Sequence, residues 1–136
     1  MAKMSEEMRA VLEEVTYWVL ATADRDGMPN AVPIRWTKVL GDDKLMLVDN
    51  FMKKTIDNID VNPKVSISVW KVKEKGSIGY QFKGAATIEN SGPTFEEGKE
   101  LLAKAGSNRN PKGVVIVRID SIFCTSPGSE AGKRLA

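Results

Sequence analysis

The sequence predicts a mainly β domain with flanking helices, in which six mostly antiparallel strands curl into a small closed or partly closed barrel. Three observations carry this expectation. The chain has 136 residues, 42% of them hydrophobic, which is enough for one domain that buries its own core without disulfides or a structural metal. Apolar residues recur at helical spacing over residues 4–15, and the period then changes from 3.6 to 2. The element order is helix, three strands, helix, two strands, helix, strand, and it lacks the crossover helices that a parallel sheet needs between most strands. Closing the sheet removes the exposed edges it would otherwise present.

Each element has its own local reason. Met4, Met8, Val11, Leu12 and Val15 line one face of the first helix, with Ser5 as N-cap and Glu6 and Glu7 in the first turn, where the helix dipole favours acids. This helix is expected to lie over one end of the sheet. Residues 17–23 read as the first strand, Asp26-Gly27 as a hairpin turn and residues 30–40 as the second strand. Pro33 interrupts that strand. Without an N–H it belongs at an edge, at a bulge or where a ligand meets backbone. Gly41-Asp42-Asp43 turns the chain into a third strand over residues 44–48. Residues 51–61 follow as a helix, with Met52, Ile56 and Ile59 on one face, and Asn62-Pro63 ends it because a residue before proline disfavours helix. Strands over residues 65–73 and 78–89 come next, the latter long enough to bend around a barrel. Pro93 opens a third helix with Phe95, Leu101, Leu102 and Ala105 as its apolar side. A loop from Gly106 to Gly113 leads to a last strand over residues 114–125 and a polar tail. No repeat or low-complexity tract divides residues 1–136, which read as a single domain.

Composition excludes several chemistries. There is no histidine and one cysteine, so Ser–His and Cys–His nucleophiles, an imidazole base, histidine-ligated haem and imidazole-based zinc sites are all ruled out. No metal site is expected. Cys124 staples nothing and reads as a small buried hydrophobe. Twenty basic against eighteen acidic side chains give a formal charge of +2, too small and too dispersed for a nucleic-acid stripe. The opening MAKMSEEMRAVLEEV carries acids and no unbroken apolar run, so it is neither a secretory signal nor a membrane span, and a cytoplasmic protein is expected. Glycine-rich phosphate motifs of the dinucleotide or P-loop kind are missing. No two carboxylates are spaced as acid–base partners, and Glu13-Glu14 and Glu96-Glu97 read as solvated helix surface.

Two segments carry candidate chemistry. In Asp49-Asn50-Phe51-Met52-Lys53-Lys54-Thr55, a strand passes into a helix and two lysines stand where acids are preferred. Cations there are disfavoured by about 0.3–1 kcal/mol. A bound phosphate would resolve the conflict, since backbone N–H groups, both ammonium groups and the Thr55 hydroxyl would converge on it. The plainer alternative is a pair of solvated charges before a helix capped by Thr55. The second segment is Pro33-Ile34-Arg35-Trp36, followed by Lys38. Backbone groups freed beside a proline can read the polar edge of a planar heterocycle, Trp36 offers a flat apolar surface, and the Arg35 guanidinium can stack or donate hydrogen bonds. Alternatively Trp36 is core and Arg35 is solvated. Trp70 and Tyr80 are expected in the core or at a dimer interface.

Lys44-Leu-Met-Leu-Val-Asp-Asn50, then Lys53-Lys54-Thr55, then Asn62-Pro63-Lys-Val-Ser-Ile-Ser-Val-Trp70, then Gln81-Phe-Lys-Gly84 together resemble the pyridoxamine 5'-phosphate oxidase-like FMN-binding split-barrel family. In that family a strand ending in Thr-Asn leads through Ser-Arg-Lys and a helix to Asn-Pro, an apolar strand and tryptophan, then to a strand with a basic residue shortly before glycine. Asn50, Asn62, Pro63, Trp70 and Gly84 match in spacing. The resemblance implies a six-stranded antiparallel split β-barrel that forms a homodimer, with FMN in clefts between the subunits. It places Lys54 on the family's phosphate-binding arginine, with Thr55 in place of its lysine and Lys53 in place of its serine. It sets Pro33, Ile34, Arg35 and Trp36 against the flavin ring, with Val48, Asp49 and Asn50 on the facing strand end. Trp70, Gln81 or the tail near Ser126-Pro127 would complete the cleft from the second subunit.

The vitamin B6 oxidases of the family carry an Arg-x-His substrate segment and a tryptophan-containing C-terminal segment. This chain has neither, and it is similar to the small single-domain FMN-binding proteins instead. The expectation is an FMN flavoprotein acting as an oxidoreductase or electron carrier, in which the flavin supplies the chemistry and the protein supplies position and electrostatics. Two alternatives are a deazaflavin or other phosphorylated cofactor in the same fold, and a non-enzymatic small-barrel module that stacks single-stranded nucleic acid on Trp36 and Trp70.

Overall fold

The structure, a computed structural model, describes residues 2–136. In chain order the elements are α1 (Glu6–Glu14), β1 (Trp18–Ala23), β2 (Pro29–Ile34), β3 (Thr37–Leu40), β4 (Lys44–Asp49), α2 (Lys54–Val61), β5 (Lys64–Val72), β6 (Ser77–Glu89), α3 (Pro93–Lys104) and β7 (Gly113–Cys124). The strands number seven rather than the expected six. The segment around Pro33 is two strands, β2 paired with β1 and β3 paired with β4, with Arg35 and Trp36 between them.

That break shapes the sheet. The strand order is β2-β1-β5-β6-β7-β4-β3, so two strands joined by only two residues form opposite edges of one antiparallel sheet. Laid flat, the edges would stand about 29 Å apart at ~4.8 Å per strand. The link from Ile34 to Thr37 reaches only about 11 Å at 3.8 Å per residue. The sheet must therefore curl until its edges approach, which leaves a seam between β2 and β3. At that seam Val48 N–H donates to the Trp36 carbonyl at 2.9 Å, tying the corner to the end of β4.

The inward faces supply a core in which Leu20, Leu45, Leu47, Ile67, Phe82, Val117 and Ile119 are wholly buried. β4 is buried on both faces, because Met46 and Val48 pack with Leu102 and Val114 beneath α3. Gly98 permits that contact, since a Cβ there would come within 2.6 Å of Val114 Cγ1. The bend expected in the long strand falls at a register shift between Lys83 and Gly84. Any side chain at Gly84 would strike the Arg118 carbonyl.

Ser5 caps α1 as the sequence predicts, and Trp18 Nε1 donates to the Leu12 carbonyl at 2.9 Å, fixing the helix end on β1. Other expectations are corrected. α2 begins at Lys54 rather than at residue 51, because residues 50–53 form a turn around the Asp49 carboxylate. Ala105 is the exposed C-cap of α3 rather than part of its apolar side. Tyr80 is buried as expected of a core residue, whereas Trp70 stands 53% exposed on the outer face. The polar tail folds back: Gly132, Lys133, Leu135 and Ala136 form backbone hydrogen bonds with Ile122 and Cys124. Cys124 is buried and unpaired. Among the described residues, no helix is long and apolar enough to cross a membrane.

Candidate functional site

A groove of about 870 Å³ runs along the seam. The edge of β2 forms one wall, with Asn30, Val32, Pro33 and Ile34. Arg35 and Trp36 form the corner, and Val48 and Asn50 lie opposite. Met52, Lys53, Lys54 and Thr55 close one end, and Tyr17, Phe51, Ser107, Asn108 and Arg109 form the rim. The two segments singled out in the sequence thus meet in one concavity, although Pro33 and Lys54 lie on different elements.

The helix start facing the groove is chemically unfinished. Lys53 occupies the N-cap with φ −128° and ψ −74° and offers no side-chain bond to the first turn. The capping role considered for Thr55 is not observed. Thr55 lies inside the helix, 2% exposed, and its Oγ1 accepts from Asn30 Nδ2 at 3.2 Å, leaving its own hydroxyl proton free to donate. Asn58 Nδ2 donates to Thr22 Oγ1 at 2.9 Å, so two side-chain bonds fasten α2 across the β1–β2 hairpin. Lys53 and Lys54 are exposed, and among the described residues neither forms an ion pair with a carboxylate. The groove wall holds Arg35, Lys53, Lys54 and Arg109 and no acid.

At the other end the Arg35 guanidinium lies 4.4 Å from the Trp36 ring centre and 6.0 Å from that of Tyr17. Trp36 is half-buried, so it is neither pure core nor free. Asn50 lines the groove, and its Oδ1 is buried without a hydrogen-bond partner.

Two predicted site residues are not in the wall. Asp49 is 4% exposed, and its Oδ1 accepts from Met52 N–H at 2.9 Å and lies 3.7 Å from Lys112 Nζ. Its carboxylate shapes the turn that presents Asn50 to Lys53. Gln81 sits mid-sheet on β6, paired with Ser68 and Phe123. It shares an outward row with Pro33 through Val19 and Ser68, about 14 Å away at ~4.8 Å per strand. Conversely, Tyr17, Asn30, Val32, Phe51, Met52 and the 107–109 loop line the groove without being expected there. Val32 adjoins Pro33, and Phe51 and Met52 lie inside the 49–55 segment, where both read as helix.

A curled antiparallel sheet split at one seam, with a cationic helix start facing the split, belongs to the split-barrel class. The pyridoxamine 5'-phosphate oxidase family model matches residues 4–126, and the chain belongs to that family. It is 36% identical to the uncharacterized protein MJ0282 of Methanocaldococcus jannaschii over 98% of this chain and 89% of that one. Among solved structures, HupZ of Group A Streptococcus superposes with a TM-score of 0.80 at 29% identity, covering 95% of this chain and 99% of HupZ. An FMN-binding protein from Syntrophomonas wolfei superposes with a TM-score of 0.79 at 21% identity, over 88% of this chain and 84% of that one. The fold recurs with other ligand chemistries: an F420 reductase has a TM-score of 0.66 at 21% identity, over 88% and 98% of the two chains. HutZ, the heme storage protein of Vibrio cholerae, has a TM-score of 0.64 at 17% identity, over 90% and 95%.

Proposed function

We propose that this protein is an FMN-binding flavoprotein, acting as an oxidoreductase or electron carrier rather than as a pyridoxamine phosphate oxidase. One observation carries the reading: the uncapped, doubly cationic start of α2 opens into the same groove as the proline-broken strand and its Arg35–Trp36 corner. The groove's volume falls in the usual range for cofactor sites, roughly 300–1,000 Å³. Lys53, Lys54, the Thr55 hydroxyl and the free N–H groups of α2 would hold the phosphate. Pro33 to Trp36 and Val48 would bracket the ring, and Asn50 Oδ1 supplies an acceptor of the kind a ribityl hydroxyl needs. FMN supplies the electron transfer when bound, while these residues bind it, orient it and shield it from water. Histidine-ligated haem, by contrast, has no imidazole anywhere in the chain.

A homodimer completing the site is part of the same proposal. The groove is open along the seam, and its wall continues across the outer face through Pro33, Val19, Ser68 and Gln81 toward Phe123. Trp70 and Val72 stand exposed on β5. A second copy against this face is the arrangement in which Gln81 reaches a flavin. Sedimentation equilibrium should give a dimer, and a monomer that still holds FMN tightly would defeat the shared site.

The purified protein should be yellow with a flavin spectrum, and a deazaflavin would be recognised by its shorter-wavelength band. Lys54→Ala should weaken FMN binding by about tenfold or more while changing riboflavin affinity little, since one charge-assisted phosphate contact is lost. Equal loss of both ligands would contradict the phosphate role.

A further inference from the structure

The four cations of the groove outnumber what one phosphate uses. Lys53 and Lys54 flank the helix start, where a dianion would match both. Arg35 and Arg109 are left over, with no acid in the wall to balance them.

Arg109 stands at the mouth of the groove, in a side pocket of about 180 Å³ that it shares with Asn50, Phe51, Asn108 and Asn110. Its guanidinium lies 4.7 Å from the centre of the Phe51 ring. Phe51 itself is 71% exposed, an open aromatic face on the rim.

This pocket is clamped rather than loose. Lys112 N–H donates to the Asp49 carbonyl and Lys112 Nζ to the Met52 carbonyl, both at 2.8 Å. Arg109 N–H donates to Ser107 Oγ at 3.3 Å. Lys112 therefore ties the end of the 107–112 loop to the 49–53 turn. A guanidinium flanked by carboxamides matches the fork of a carboxylate or phosphate, and an adjacent ring face takes a flat or apolar group attached to it.

We infer that the Phe51–Arg109 pocket receives the anionic group, phosphate or carboxylate, of the second reactant that meets the cofactor. This rests on the groove being the cofactor site. Phe51 would carry the attached group toward the ring end, and Asn108 and Asn110 would donate to the oxygens that Arg109 does not reach.

The test uses isotopically labelled, FMN-loaded protein titrated at constant ionic strength with inorganic pyrophosphate in one arm and glutarate in the other, following backbone amides by NMR. Saturable shifts at Asn108, Arg109 and Asn110 are expected with at least one anion, and the arm that saturates identifies the chemistry. Arg109→Gln should raise that dissociation constant about tenfold, as loss of a charge-assisted contact does, and leave FMN retention unchanged. Four results would overturn the inference: no saturable shift with either anion; shifts confined to residues 53–55; an unchanged constant in Arg109→Gln; or Arg109→Gln weakening FMN more than riboflavin, which would make Arg109 part of the phosphate site. Failure of the cofactor reading is seen separately, as FMN failing to move the amides of residues 53–55, and the anion titration then reads the pocket on the unloaded chain.

Discussion

α1 and α2 are nearly equal in length, nine and eight residues, yet they begin in opposite ways. α1 is complete in itself. Ser5 Oγ accepts from Met8 N–H at 3.2 Å, Glu6 and Glu7 complement the dipole, and Met8, Val11 and Leu12 are buried. α2 opens on Lys53 and Lys54 with no side-chain cap, and its first acid is Asp57. It is fastened by Thr55, Asn58 and Ile59 instead, all buried. A helix start that satisfies its own N–H groups does structural work. A start left unsatisfied, with cations added to its positive pole, gives up stability at the place where an anion would restore it.

Substitutions can break that contrast. The largest effect is expected for Leu12→Ala, which empties a fully packed position in α1 and should cost about 2–5 kcal/mol in chemical denaturation. FMN affinity of the remaining folded protein should be unchanged, and a large loss would mean that α1 also supports the groove. The double variant Lys53→Glu and Lys54→Glu should do the reverse. FMN affinity should fall by at least about 2 kcal/mol, while the ligand-free protein gains roughly 0.3–1 kcal/mol per reversed charge. If that protein is instead destabilised, the lysines serve the fold. Ser5→Ala should cost about 1 kcal/mol, read as a lower denaturation midpoint with no change in the flavin spectrum.

The smallest effect concerns pH. Burial, then the charge of Glu7, then Cys124 push the Tyr80 hydroxyl above its ordinary 10.0. The folded state thus holds this proton more tightly than the unfolded chain. Stability from this source is intact below pH 10.0 and declines as the pH rises through the folded value. Tyr80→Phe should flatten that alkaline decline in a pH series of melting temperatures, and an identical slope would assign it to other groups.

Much of this was legible locally. The capping of α1, the Asp26-Gly27 hairpin, the start of α3 at Pro93 and the bend in β6 all follow from short-range rules of cap, turn and period. The lysines of α2 were legible for the same reason, because they violate a local rule. The extra strand was not. Pro33 announced an interruption, but whether the chain resumes in the same strand or crosses to the other edge depends on the path of the whole sheet. Asp49 reads from sequence as a cofactor contact, yet it is 4% exposed, accepts from Met52 N–H at 2.9 Å and lies 3.7 Å from the Nζ of Lys112, a residue distant in sequence. Arg109 carried no signal, since a lone arginine in a polar loop is ordinary until Phe51 lies beneath it.

Residue order alone sets which residues prefer helix or strand, which chemistries a histidine-free chain forgoes, and where a helix begins against its own dipole. These are properties of neighbours a few bonds apart. Closure in three dimensions makes β2 and β3 opposite edges of one curled sheet, makes their seam a groove, and brings four cations from three segments to face it together. Those outcomes depend on closure, where a two-residue link forces distant edges to meet.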